Sequence, residues 1–136
     1  MNIFEEAGYT TKQGDIGEAK AIYEFTKRGY NVSRTLFDSC KYDLIIEKDG
    51  IVQRVQVKST QFSPKNRKGF QVQVATTGGN RVVNTITKPE ATDYDLLCIV
   101  TSDDNMWLIP SEEIAGRINF VVGSTGPNAK FNEYKL

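Results

Sequence analysis

The sequence predicts an α+β domain in which one helix precedes a succession of strands, and three observations lead there. A segment near the start carries apolar residues at helical spacing. Runs rich in Val, Ile, Tyr and Thr then follow one another at short intervals. The 136 residues, of which 25% are charged and 39% apolar, suit a folded globular chain with room for one core. A single domain over residues 1–136 is therefore expected.

The helix is placed at Thr11 to Arg28, with Thr10 or Thr11 as its N-cap and Gly29 as its stop. At about 100° per residue, Ile16, Ala19, Ile22, Tyr23 and Phe25 spread over one broad face, and Glu18 falls between Ile22 and Phe25. A carboxylate on a core side is costly unless something pairs with it or binds it. Strands are expected at Asn31 to Leu36, Tyr42 to Glu47 and Ile51 to Thr60, the last two joined by a tight turn at Asp49-Gly50. Alternation puts Ile51, Gln53, Val55 and Val57 on one face of the third strand and Val52, Arg54, Gln56 and Lys58 on the other. Closure of the hairpin brings Asp43 beside Gln56. A basic loop, Ser63 to Gly69, leads to a strand at Phe70 to Ala75, while Thr76 to Lys88, broken by Gly78-Gly79, fixes no element. A second hairpin is expected from Asp95 to Thr101 and Asn105 to Ile109, turning about Asp103-Asp104. A short capped helix at Ser111 to Ala115, a strand at Ile118 to Val122 and an irregular tail complete the chain.

Composition then narrows the chemistry. The chain has no histidine, which removes Ser-His-Asp and Cys-His nucleophile systems and the usual zinc sites. Cys40 and Cys98 have no metal or redox spacing, and no disulfide framework is implied. What remains is carboxylates, lysines, hydroxyls and a hard cation such as Mg²⁺. Net charge is zero, but Pro89 to Ala115 holds seven acidic residues and no basic ones, leaving a surplus of seven positive charges elsewhere. No apolar run approaches the roughly 18 residues of a membrane span, and the first residues lack the basic character of a signal peptide. A cytoplasmic protein without membrane contact is expected.

Glu18 on the helix, Asp43 at the head of a strand and Gln56-Val57-Lys58 on the next form a set suited to phosphodiester hydrolysis. Carboxylate oxygens of Glu18 and Asp43, the amide oxygen of Gln56 and the carbonyl of Val57 are candidate ligands for Mg²⁺. Lys58 is the candidate for orienting the attacking water or stabilising the transition state.

These motifs, Gly14-x-x-x-Glu18, Tyr42-Asp43-Leu44 and Gln56-Val57-Lys58 in helix, strand, strand order, resemble the PD-(D/E)XK nuclease superfamily over roughly Gln13 to Thr60. Within it, GDIGEAKAIYEFTKRGYNV, KYDLII and RVQVKST are most similar to the group I intron-associated homing endonucleases, which carry glutamine where most relatives have the second acidic residue. The resemblance implies a restriction-endonuclease-like core, a mixed sheet of about five strands flanked by helices. It also implies a DNA endonuclease with Glu18, Asp43, Gln56 and Lys58 as catalytic residues, using Mg²⁺ with Mn²⁺ able to substitute, and working as a homodimer or homotetramer. Archaeal-type Holliday junction resolvases are the alternative. They share the helix glutamate and a serine four residues before the aspartate, as Ser39 stands before Asp43. Their motif normally reads Glu-x-Lys, so Gln56 counts against them. Tyr42 replaces the motif proline, and Gln56 removes one negative charge from the site. A catalytically inactive DNA-binding module of the same fold is the reading from another class.

Double-stranded or branched DNA is the expected partner. Lys65, Arg67 and Lys68 are candidates for phosphate contact, with affinity falling as salt rises. Gln71 and Gln73 are candidates for bidentate contact to adenine, and Arg81, with Thr76, Thr77, Asn80 and Asn84, for base edges. Each of these also fits an ordinary solvated surface. Trp107, Tyr94 and Phe120 read as core. The acidic segment Pro89 to Ala115, with its apolar hairpin, is the expected contact between copies because it repels DNA.

Overall fold

The computed structural model describes residues 1–65, 68–79, 83–126 and 129–136. Helix α1 spans Thr10–Lys27. Strands follow as β1 Asn31–Arg34, β2 Leu44–Lys48, β3 Ile51–Thr60, β4 Phe70–Gln73, β5 Thr76–Gly79, β6 Asn84–Thr87, β7 Leu96–Thr101, β8 Met106–Pro110 and β9 Asn119–Val122, with short 3-10 helices at Ser111–Glu113 and Ala129–Tyr134. Five strands form the main sheet in the order β1-β2-β3-β7-β8. All its pairs are antiparallel except β3 with β7, so the mixed sheet expected from the sequence is present. β4 pairs with β9, and β5 with β6, in two separate ribbons.

Turn chemistry sets the hairpins. Asp49 and Gly50 both have positive φ, 54° and 80°, the requirement of the two-residue turn that follows the natural strand twist. Gly29, at φ 90°, ends α1 in the left-handed conformation. Tyr30 N–H donates to Phe25 O and Gly29 N–H to Thr26 O, both at 3.0 Å, which satisfies two of the helix's last carbonyls. The other end differs from expectation: Tyr9 is the N-cap, with no side-chain cap bond, because Thr10 already lies within the first turn. At Ser111 the side chain likewise makes no cap, its hydroxyl donating instead to Ala91 O at 2.8 Å.

Two apolar layers cover the sheet. On one face α1 and the N-terminal residues Phe4 and Ala7 pack with Leu44, Ile46, Val55, Cys98 and Val100. On the other, β4, β9 and the C-terminal segment pack with Leu97, Ile99, Trp107 and Ile109, together with Tyr94, Phe120 and Phe131. Alternation along β7 sends neighbours to opposite layers. Phe25 is 1% exposed, and burying such a ring is worth about 1.5–3 kcal/mol.

The buried stripe of α1 is Gly17, Ala21, Glu24 and Phe25, rotated from the face expected. Ala19 is exposed and Tyr23 is 60% exposed, because small residues one turn apart let the helix sit close on the sheet. Glu24 is tolerated there because Lys20 and Lys27 lie 3.3 Å away and Arg28 3.6 Å away. Leu97, Cys98, Ile99, Val100, Met106, Trp107 and Ile109 of the acidic segment are buried within this chain, so the apolar residues of its hairpin serve the chain's own core, while β8 stands at the edge of the sheet. Among the described residues no helix is long and apolar enough to cross a membrane.

Candidate active site

The site is made by a strand that stops early. β2 and β3 run together from Lys48 opposite Ile51 to Leu44 opposite Val55, and the last bond of the ladder is Asp43 N–H to Val55 O at 2.9 Å. β3 continues for five more residues without β2. Its even-numbered peptides turn toward β7, as Asp95 N–H to Arg54 O and Ser102 N–H to Thr60 O show. The odd-numbered ones therefore turn into the gap that β2 leaves. Asp43 closes part of this gap: its Oδ2 accepts the Val57 N–H at 2.8 Å. Asp43 Oδ1 carries no protein hydrogen bond among the described residues. The Val57 carbonyl receives a long contact of 3.5 Å from the Gln56 side-chain amide. Further along, Ser59 O accepts from Gln13 Nε2 of α1 at 3.3 Å.

Gly17 fixes how near α1 comes. A Cβ added there would stand 2.8 Å from Ser59 Cβ, closer than packed carbons allow. Glu18, the next residue of α1, stands on the α1 side of the sheet. Its carboxylate pairs with Arg34 Nε at 2.7 Å, and the two line a depression with Asp15, Ala19 and Ile22.

Gln56 and Lys58 project from the opposite face, beside Leu97 and Ile99. They line a cleft of about 250 Å³ with Cys40, Lys41, Val74, Thr76, Thr87, Lys88, Pro89, Asp93 and Tyr94. Lys58 also borders a second depression that contains Gln71 and Gln73. Lys58 Nζ makes no ion pair or hydrogen bond among the described residues. Lys41 pairs with Asp93 at 3.1 Å. Burial alone would raise the Asp93 carboxyl, but the Glu90 N–H and Lys41 hold it below its ordinary value. Tyr94 is pushed up to about 12 by burial and by Asp93, so it offers a neutral hydroxyl. With Lys41 neutralised by Asp93, Lys58 and Lys88 make the cleft positive.

The structure thus brings Asp43, Val57, Gln56 and Lys58 to one place. Of these, only Gln56 and Lys58 line the cleft; Asp43 and Val57 meet them at the strand edge, and the Glu18 carboxylate goes instead to Arg34 on the α1 side of the sheet. Lys65 and Lys68 are exposed on the loop before β4. Arg67 and Arg81 lie outside the described residues. Ser39 is exposed in the loop between β1 and β2, whose Cys40 and Lys41, rather than Ser39, line the cleft. Cys98 is buried, its thiol pushed up by desolvation. Arg34, Gly17, Lys41 and Lys88 were not singled out by the motif.

The donor set fits a hard divalent cation. All four candidate ligands are oxygens, and the Val57 carbonyl and Asp43 Oδ1 are unspent by the ladder. Turning the Gln56 amide over would set its oxygen beside the Val57 carbonyl, two acceptors that a cation or a bridging donor could share. Among the described residues no group of three or more His, Cys, Asp or Glu side chains that could hold a metal ion gathers at one point.

A helix beside a mixed sheet, with an aspartate at a strand end and a lysine on the next strand, defines a nuclease core. Residues 9–128 match the PD-(D/E)XK endonuclease family, and the chain belongs to that family. Such nucleases generally use divalent metals. The chain is 30% identical over 117 residues to protein 5.3 of Escherichia phage T7, covering 86% of this chain and 93% of that protein. It is also similar to the structure of a bacterial homing endonuclease, I-Ssp6803I, with a TM-score of 0.84 and 25% identity over 94% of this chain and 89% of that one.

Proposed function

We propose that this nuclease is a divalent-metal-dependent DNA endonuclease of the site-specific, homing type. The observation that carries the reading is that Asp43 bonds Val57 where β2 ends, next to Gln56 and Lys58, which line a lysine-rich cleft. The likeness to the homing endonuclease supports the finer assignment.

Asp43, Gln56, Val57 and Glu18, the last once released from Arg34, would hold Mg²⁺ or Mn²⁺. When bound, the ion activates a water and offsets charge on the scissile phosphate. Lys58 orients that water and stabilises charge developing in the transition state. Lys88 neutralises the phosphate in the cleft, and Gln71 and Gln73, with Lys65 and Lys68 on the preceding loop, extend the contact along the duplex. One site cuts one strand, so double-strand cleavage calls for a homodimer or homotetramer with sites facing opposite strands.

The test is incubation of purified protein with supercoiled plasmid, linear duplex and a four-way junction, with Mg²⁺ or with chelator. Nicking of plasmid and duplex is expected only with the metal, and Lys58→Ala should slow it by about 10²–10³-fold while duplex binding persists. Cleavage confined to the junction would assign the protein to branched DNA instead. Unchanged nicking by Lys58→Ala would overturn the site.

A further inference from the structure

The ribbon of β5 and β6 is not explained by the fold. None of its residues belongs to either apolar layer. Thr76, Thr77, Thr85, Ile86 and Thr87 are all exposed, Ile86 by 55%. A two-stranded ribbon with neither face packed is marginal in water, so an exposed one that is retained has a use outside the core.

Three features say what it meets. Its base stands at the site: Thr76 and Thr87, directly paired, line the cleft with Gln56 and Lys58. The chain that carries it is cationic: residues 50–89 contain seven Lys and Arg and no Asp or Glu, and Asp93 in the cleft at its base is paired with Lys41. Within that stretch Lys58, Lys65, Lys68 and Lys88 have no carboxylate partner among the described residues. Its outer part is slim and methyl-bearing: Gly78 is opposite Thr85, a Cβ there would touch nothing within 4 Å, and Thr77 lies side by side with Ile86. Packing therefore does not require that glycine. The surplus of unpaired lysines over acid and the small apolar area argue against a protein partner and for a polyanion with a groove. The major groove of duplex DNA, about 12 Å wide, admits a two-stranded ribbon.

We propose that the β5–β6 ribbon enters the major groove next to the cut position, and that Thr77 and Ile86 set base preference there. The Ile86 side chain and the Thr77 methyl supply apolar contact of the kind that distinguishes a thymine methyl group, and the Thr77 hydroxyl supplies a hydrogen bond to a base edge. The inference rests on the DNA endonuclease reading and deepens it.

The test is nicking of a randomised plasmid library by the full chain, with cut positions mapped by sequencing. It is run for wild type, Thr77→Ala, Ile86→Ala and, as a control, Ile51→Ala, an equally exposed isoleucine that begins β3 at the far end of the sheet. The ribbon is outside both apolar layers, so the variants should keep the wild-type melting temperature, which is measured alongside. We expect wild type and Ile51→Ala to share a base preference beside the nick, and each ribbon variant to lose it by about fivefold or more at one or two positions. The same preference in all four proteins, or none in wild type, would overturn the ribbon's role while leaving the nuclease standing. No nicking of any library member by wild type would instead bring down the DNA endonuclease reading, and the ribbon's role with it.

Discussion

The carboxylate of Asp43 caps the backbone of Val57, its Oδ2 accepting the Val57 N–H at 2.8 Å where β2 no longer pairs with β3. Under the proposed function one carboxylate would do two tasks: Oδ2 holds the splayed edge, and Oδ1, which has no hydrogen bond among the described residues, would serve the metal. Asparagine and alanine should separate them. Asp43→Asn keeps an acceptor for Val57 and should melt close to wild type, yet lose nicking because an amide oxygen is a poorer ligand for a hard cation. Asp43→Ala should lose nicking and also about 1–2 kcal/mol of stability, from the unpaired N–H. Thermal melts and plasmid nicking check both. Equal melting of the two variants would remove the structural task.

Gly17 is where helix position and site position are set together. Replacing it with alanine gains helix propensity of about 1 kcal/mol, but the new Cβ meets Ser59 Cβ at 2.8 Å, and the helix must lift. We expect a net loss of about 1–2 kcal/mol and slower nicking, since Glu18 moves with the helix. Ser59→Gly in the same chain should recover most of the loss, a coupling that a double-mutant cycle measures. Additive effects of the two substitutions would show that the contact does not hold the helix.

How much of this was legible beforehand follows from the range of the forces involved. The third strand, Ile51–Thr60, and the turn at Asp49-Gly50 are legible because alternation and left-handed turn residues are local signals. The neighbourhood of Asp43, Gln56 and Lys58 was readable for the same reason: a tight hairpin fixes register, and register fixes who stands beside whom. The helix face was not, because it depends on the close approach of Gly17 to Ser59, 42 positions later in the chain. The Glu18 to Arg34 pairing was missed for a related reason, since an ion pair between a helix and a strand has no spacing rule. The stretch from Thr76 to Lys88 defied assignment because Gly78-Gly79 reads as a break, and an exposed ribbon has no apolar alternation to betray it.

In the proposed metal site, Arg34 and a divalent ion would be rivals for the Glu18 carboxylate, which Arg34 holds at 2.7 Å. The Arg34 to Glu18 pair is partly exposed, so its strength is at most about 1 kcal/mol. Removing it should therefore tighten metal binding modestly. We expect Arg34→Gln to bind Mn²⁺ about two- to fivefold more tightly by calorimetry in the absence of DNA. Weaker binding would mean that Arg34 positions Glu18 for the ion rather than competing with it, and unchanged binding would place Glu18 outside the metal site.

Acid stability offers a test of the packing that holds α1 in place. Glu24 is 8% exposed. Burial alone would raise its carboxyl, but hydrogen bonds from Lys20 and Lys27 outweigh that cost and hold it below the ordinary value of 4.5. Lys20 is raised in turn, first by its bond to Asp104, 2.9 Å away beside the β7–β8 turn. A carboxyl lowered on folding releases its proton more readily in the native state than in the unfolded one. Its contribution is therefore fully present above 4.5 and is lost as pH falls through the lower native value. Glu24→Gln gives up the charge-assisted bonds, so it should cost about 1–3 kcal/mol at neutral pH and should flatten the acid limb of melting temperature against pH. The opposite slope, with the variant losing stability faster than wild type on acidification, would show that Glu24 is not the group that titrates. A parallel series with Lys20→Met should remove the tie from α1 to the β7–β8 turn and lower neutral stability without flattening that limb as fully, because Lys27 still holds the carboxylate.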